Sequence, residues 1–134
     1  MVKSIPQGIK FVSVLAADVY RTLGSGFSEV VYDKALQVGL RLAGIRYETQ
    51  RVVELTYKGH FVGEGYPDLV VHFGRQRLVV ELKAIAGELG PPEVQQLRNY
   101  LRYLKISRGL LINFQYPPYR KEAKTKLEIR EVKL

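Results

Sequence analysis

The stretch Pro67-Asp68-Leu69-Val70-Val71-His72-Phe73-Gly74-Arg75-Gln76-Arg77-Leu78-Val79-Val80-Glu81-Leu82-Lys83 decides the fold. Two runs rich in valine and leucine flank a Gly74-Arg75 turn, which predicts a β-hairpin with strands over residues 66–73 and 77–83. A turn centred between positions 74 and 75 sets Asp68 opposite Glu81. The same register pairs Leu69 with Val80 and Val71 with Leu78, so one face is wholly apolar, as a core-facing surface requires. The other face then carries Asp68, Val70, Val79, Glu81 and Lys83. Glu81 and Lys83 are two apart on a strand, so their side chains leave on one side, roughly 7 Å apart. A slip of one residue would spoil both faces.

Two carboxylates held this close repel each other, and one of them resists ionising unless a cation lies between them. A divalent ion with oxygen ligands resolves that conflict. It can also activate a water and neutralise charge on a phosphodiester. Lys83 beside it would orient or deprotonate the attacking water, or stabilise the phosphate in the transition state. The plainer reading is an Asp-Lys or Glu-Lys pair on an exposed sheet face, which contributes little. Against it, Lys83 follows Leu78-Val79-Val80-Glu81-Leu82, an apolar strand that reads as buried.

Outward from the hairpin, Val12, Leu15, Ala16, Val19 and Leu23 recur at helical spacing and predict a helix over residues 8–23, broken by Gly24-Ser25-Gly26. Ser28 is placed to cap a second helix that runs to Gly44, with Val31, Ala35, Val38 and Leu42 as its core stripe. The period then changes to two, and residues 51–57 read as a half-buried strand ending at Lys58-Gly59. Gly90-Pro91-Pro92 opens a third helix whose apolar face is Val94, Leu97, Leu101 and Leu104. Gly109 to Phe114 is a short strand apolar on both faces, ended by Pro117-Pro118, and the basic tail closes on a weaker strand at Leu127, Ile129 and Val132. Three meandering strands, a helix and a buried strand make a mixed α/β sheet with helices packed on it.

A chain of 134 residues predicts a single domain over residues 1–134 with a real core. No apolar run approaches the roughly 20 residues of a membrane span. The start, Met1-Val2-Lys3-Ser4-Ile5-Pro6, lacks a signal-peptide pattern, so a cytoplasmic protein with no membrane partner is expected. Cysteine is absent, which excludes disulfides, thiolate zinc sites and cysteine nucleophiles. With His60 and His72 in separate segments, any metal must rely on oxygen ligands, which points to magnesium or manganese. The formal charge of +8, from 21 basic and 13 acidic residues, favours a polyanionic partner, though a basic surface also serves solubility alone.

Gly26-Phe27-Ser28-Glu29-Val30-Val31-Tyr32 matches the motif that names the GxxExxY proteins, a branch of the PD-(D/E)xK nuclease superfamily, and the chain resembles that family along nearly its whole length. The resemblance runs on through Gly63-Glu64, Pro67-Asp68-Leu69, Val80-Glu81-Leu82-Lys83-Ala84, Gln96-Leu97, Asn99-Tyr100-Leu101 and Gly109-Leu110-Leu111-Ile112-Asn113-Phe114. It implies a restriction-endonuclease-like core, a mixed central β-sheet flanked by α-helices. It also implies a metal site on Asp68 and Glu81, with Lys83 beside it. Glu29 fits the helix glutamate that joins the metal site in resolvase-like members. Read by itself, Glu29 is equally a first-turn acid favoured by the helix dipole. Tyr32 shares its face and is either a substrate contact or a packing residue. Gln96 matches the glutamine that related nucleases place after the ExK motif, and must reach the site from the edge of its helix; an exposed helical glutamine is the alternative. Tyr100 reads as packing, and His72 as a strand-end surface residue.

Arg98, Arg102, Lys105 and Arg108, with Arg120, Lys121, Lys124 and Lys126, form either a phosphate-tracking surface or a solvated basic face. The reading that unites these residues is a metal-dependent nuclease. Asp68, Glu81, Lys83, Glu29 and Gln96 are its catalytic residues, and Asp68, Glu81 and Glu29 hold Mg2+ or Mn2+. Tyr32, Arg98 and Arg102 contact the substrate, and DNA is expected ahead of RNA, recognised by structure rather than sequence. The rival is a non-catalytic, basic nucleic-acid-binding module on the same fold. A homodimer is a third arrangement to test, since nine tyrosines suit an interface.

Overall fold

The computed structural model describes residues 2–117 and 125–134. Arg120, Lys121 and Lys124 of the expected basic surface lie outside the described residues. Helix α1 (Ile5–Leu23) starts where Ser4 Oγ accepts from Gln7 N–H at 3.3 Å, with Pro6 in the first turn. Its buried Ile5, Ile9, Val12, Ala16 and Val19 follow the 3.6-residue period. It stops at Gly24, whose φ of 82° a side chain would resist. Helix α2 (Glu29–Leu42) packs beside it.

The strands are β1 (Tyr47–Thr49), β2 (Val53–Tyr57), β3 (His60–Gly65), β4 (Leu69–Phe73), β5 (Gln76–Lys83), β6 (Arg108–Phe114) and β7 (Leu127–Lys133). Helix α3 (Pro91–Leu104) links β5 to β6, and that pair is parallel. The central sheet has the order β1-β4-β5-β6-β7, and its other neighbours are antiparallel. The hairpin register is the expected one, with Leu69 opposite Val80, Val71 opposite Leu78 and Phe73 opposite Gln76.

Both faces of the sheet are covered. Leu69, Val71, Phe73, Leu78, Val80, Leu82, Leu110, Ile112 and Phe114 pack under α1 and α2. On the reverse, Val70, Val79, Leu111 and Val132 meet Leu97 and Leu101 of α3. This explains why β6 is apolar throughout: a strand clad on both sides has no solvent face to alternate with.

Three details differ from the expectations of the sequence. Residues 53–57 do not join the central sheet; β2 pairs with β3 in a separate antiparallel hairpin turning at Lys58-Gly59, and the sequence pattern gives no sign of β3. The third strand of the meander is instead the short β1, antiparallel to β4. On α2 the buried stripe is Tyr32, Leu36 and Leu40, whereas Val31, Val38 and Leu42 are exposed, Leu42 by 85%. Both stripes have helical period. The tyrosine and two leucines bury more apolar area than valines and an alanine, at about 25 cal/mol per Å², so the helix turns that face inward.

Candidate active site

The hairpin ladder ends at Leu69 and Val80, and the next register position is closed by side chains instead of backbone. Asp68 N–H donates to Glu81 Oε1 at 2.7 Å, and Leu82 N–H donates to Asp68 Oδ2 at 2.8 Å. Each carboxylate is thereby pinned by a charge-assisted bond to the other's strand. Each keeps one oxygen, Asp68 Oδ1 and Glu81 Oε2, that accepts no hydrogen bond among the described residues. Glu81 is 5% exposed, and burial followed by the charge of Asp68 pushes its carboxyl up to about 8. Asp68 is raised too, chiefly by burial, against the Leu82 N–H that favours its charged form.

Glu29 enters at the first turn of α2, from the other side of the sheet. Its carboxyl is raised by burial and then by Asp68, while Lys83 opposes the rise. Asp33, on the same helix, raises both Glu29 and Asp68, so four acids and one cation feel one another at the open end of β5. Lys83 Nζ donates to Gln96 Oε1 at 3.2 Å, and Gln96 Nε2 donates to the Tyr100 hydroxyl at 3.4 Å. Gln96 is exposed and reaches in from the edge of α3, as its wheel position demands. Tyr100, read from sequence as packing, is half-buried, and its hydroxyl is raised by burial and by Glu81. A Cβ on Gly65 would stand 2.5 Å from its ring, so β3 needs glycine there.

Tyr32, expected either to contact substrate or to pack, is wholly buried and packs. It stacks on Phe114 at 4.3 Å, its hydroxyl donates to Gly24 O at 2.6 Å, and it accepts from Phe27 N–H at 3.4 Å. It fastens the turn from which α2 springs and so positions Glu29. Arg98 and Arg102 lie exposed on the outside of α3. Arg102 lines a cleft of about 380 Å³ between α3 and the β2–β3 hairpin, with Gln96, Asn99, Tyr100 and Glu64. Arg98 has no hydrogen bond or ion pair among the described residues. His72 Nε2 lies 2.9 Å from Glu48 Oε2, at the opposite end of β4 from Asp68.

Two side chains that hold the loop beside the site are not apparent from the sequence. Asn113 is wholly buried on β6; it accepts from Ile85 N–H at 3.1 Å and donates to Gly87 O at 3.0 Å. Gln115 also donates to Gly87 O, at 3.2 Å. Together they clamp the loop leaving Lys83, and Glu128 accepts from Leu89 N–H at its far end. A signal exists for them: an amide inside a doubly covered strand must find partners, and the only unpaired backbone near a strand's end belongs to a loop.

As a donor set for a divalent ion, Asp68 Oδ1 and Glu81 Oε2 are free, hard oxygens on acids whose repulsion a cation would relieve. Among the described residues, no three acidic or imidazole side chains close around one point in this conformation. The residues therefore fit such an ion by chemistry and by their two fixed members. Glu29 would have to swing in to complete the set.

The sequence profile of the PD-(D/E)XK nuclease superfamily matches residues 7–126. The chain belongs to that superfamily. Among solved structures it is similar to the crystal structure of SSO0001, with 21% identity and a TM-score of 0.53 over 77% of this chain. The match covers 48% of SSO0001, so this chain spans about half of that structure. It is also similar to Archaeoglobus fulgidus Hjc, a Holliday junction resolvase from an archaeal hyperthermophile, with 20% identity and a TM-score of 0.44 over 74% of this chain and 70% of that one. No curated relative matches the sequence. The five-stranded mixed sheet flanked by helices is thus the restriction-endonuclease-like core of the superfamily. No helix among the described residues is long and apolar enough to cross a membrane.

Proposed function

We propose that this chain is a single-domain nuclease that hydrolyses DNA phosphodiester bonds with magnesium or manganese, reading the structure of its substrate rather than its sequence. The observation that carries the proposal is the crossed Asp68–Glu81 pair with Lys83 on the same face. Asp68 and Glu81 would hold the ion through their free oxygens, and Glu29 would join them from α2. A divalent ion there supplies Lewis acidity and neutralises charge on the phosphoryl group. Gln96 holds the Lys83 ammonium at the mouth of the site, where it donates hydrogen bonds to the attacking water or a phosphoryl oxygen. Tyr32 keeps Glu29 in place, which fits the motif Gly26-Phe27-Ser28-Glu29-Val30-Val31-Tyr32 as a structural unit around one acid. Arg98 and Arg102 lie along the exposed side of α3, where a phosphate backbone leaving the site would pass.

The test is cleavage of labelled single-stranded, duplex, flapped and four-way DNA, and of RNA, in manganese, magnesium or chelator. Cleavage that needs the ion and is lost in Glu81→Ala and Lys83→Ala supports the proposal and reads out the substrate. The open arrangement of the three acids favours one rival reading, a nucleic-acid-binding module without turnover. Salt-sensitive binding with no cleavage by any of the proteins would establish that rival.

A further inference from the structure

The end of the sheet opposite the acids carries a second concentration of charge. Gly74 and Arg75 turn the β4–β5 hairpin there, and Arg77 follows on β5. Lys105 caps the C-terminus of α3 with a left-handed φ of 57°. Arg75, Arg77, Lys105, Gln76, Ser107 and Ile5 line one polar hollow of about 220 Å³ with no acid among its walls. None of the three cations has an ion pair among the described residues, whereas neighbouring Arg108 is engaged by Glu131 at 3.5 Å. The N-terminus of α1 opens at the same corner: Ile5 N–H donates to Gln76 Oε1, and Lys3 O lies 3.3 Å from where a Gly74 Cβ would stand. The positive end of α1 is offset there by the negative C-terminal end of α3, so the field of the hollow comes from the side chains. Three uncompensated cations around a polar hollow attract an anion and gain little from one another.

The hollow is placed to serve the site. Arg77 is four residues from Glu81 and six from Lys83 on β5, at least roughly 13 and 20 Å at about 3.3 Å per residue, and because Val79 between them is buried under α3 a duplex that reaches both passes over the outside of α3. Helix α3 runs back from the site to Lys105, with Arg98 and Arg102 exposed along it. We infer that Arg75, Arg77 and Lys105 form a distal anchor for a backbone phosphate of the nucleic acid whose scissile bond lies at Asp68 and Glu81. At about 3.4 Å of duplex axis per base pair, the anchor engages a phosphate about four to six base pairs from the cut. The substrate class is therefore a duplex arm of at least that length on one side, whatever lies on the other. The inference rests on the nuclease reading for its geometry, but its binding test is independent of turnover.

The experiment is the salt dependence of affinity, by fluorescence anisotropy in calcium or chelator, for a duplex of about 20 base pairs and a short one of about 3, closed by a loop. The proteins are the wild type, Arg75→Ala/Arg77→Ala, Arg75→Lys/Arg77→Lys and Glu81→Ala. On the long duplex the slope of log K against log salt should fall by about 1 in the alanine pair and stay near wild type in the lysine pair, since each lost phosphate contact removes about 0.9. On the short duplex the alanine pair should match the wild type. Melting curves of the alanine pair should match too, because these side chains serve no core contact. An unchanged slope on the long duplex, an equal fall on both lengths, or no salt-dependent affinity for either duplex would overturn the anchor. If no protein cleaves DNA and the slope still falls on the long duplex alone, the anchor stands and the nuclease reading fails. If cleavage is lost in Glu81→Ala while the slopes are equal in all four proteins, the nuclease reading stands and the anchor fails.

Discussion

Replacing Glu81 by glutamine should make the protein more stable, and only above about pH 5. The carboxyl of Glu81 moves from 4.5 to about 8 on folding, because burial and Asp68 both penalise its charge. An acid raised in the folded state binds more protons there than in the unfolded chain, so stability falls as pH rises from about 4.5 and levels off above about 8. At about 1.4 kcal/mol per pH unit the loss has an upper limit of about 5 kcal/mol, and Asp68, raised in the same sense, adds to it. The amide in Glu81→Gln keeps an oxygen for Asp68 N–H and turns its NH2 toward the Asp68 carboxylate, so the site stays bonded while the repulsion goes. At about 3 to 4 °C per kcal/mol for a domain of this size, Glu81→Gln should melt several degrees above wild type at pH 8 and close to it at pH 5, in chelator. Glu48, Glu88 and Glu93, whose carboxyls are lowered, act below that window and leave it clear. Saturating magnesium or manganese should close the gap at pH 8 by stabilising the wild type alone. A wild type whose melting temperature rises between pH 5 and 8 in chelator, or a variant no more stable at pH 8 than at pH 5 relative to it, would refute the account.

Lys83→Met should lower the cleavage rate by about 10²–10⁴, because it deletes the cation at the site, and lower melting at pH 8 more than at pH 5, because that cation offsets the repulsion of the acids; single-turnover cleavage at saturating protein reads out the first. Tyr32→Phe leaves Gly24 O without its donor and should cost about 1–3 kcal/mol in urea denaturation. If the tyrosine also holds Glu29, the variant's cleavage will fall further than its folded fraction does. Asn113→Leu orphans Ile85 N–H and leaves Gly87 O with Gln115 as its one donor, and should cost about 1–3 kcal/mol; an unfolding midpoint equal to wild type would show that water reaches the loop.

How far the sequence can be read depends on whether one pattern has a competitor. The β4–β5 register follows from a single turn and one wholly apolar face, and a slip of one residue would mismatch both faces. Asp68, Glu81 and Lys83 come with it, since strand geometry alone puts them on one face. On α2 two stripes have the same period, and only contact with Phe114 and the Gly24–Phe27 turn chooses between them. That contact is long-range, so no local count can supply it. The burial of Tyr32 escapes a local count for the same reason. The β2–β3 hairpin is hidden because His60–Gly65 is mostly exposed and two of its residues are glycine, which leaves almost no alternation to detect. Asn113 and Gln115 do not stand out because their purpose lies in a loop about 26 to 28 residues away in sequence.

The crossed bonds between Asp68 and Glu81 make the two acids mechanically interdependent. Removing the Asp68 carboxyl frees Leu82 N–H and loosens the strand that carries Glu81; removing the Glu81 carboxyl frees Asp68 N–H and loosens Asp68 in turn. A single alanine at either position therefore disables a pair rather than one group. The two losses of activity should be nearly equal, and the double variant scarcely worse than either. Any attempt to rank the acids by single substitution would measure the same event twice.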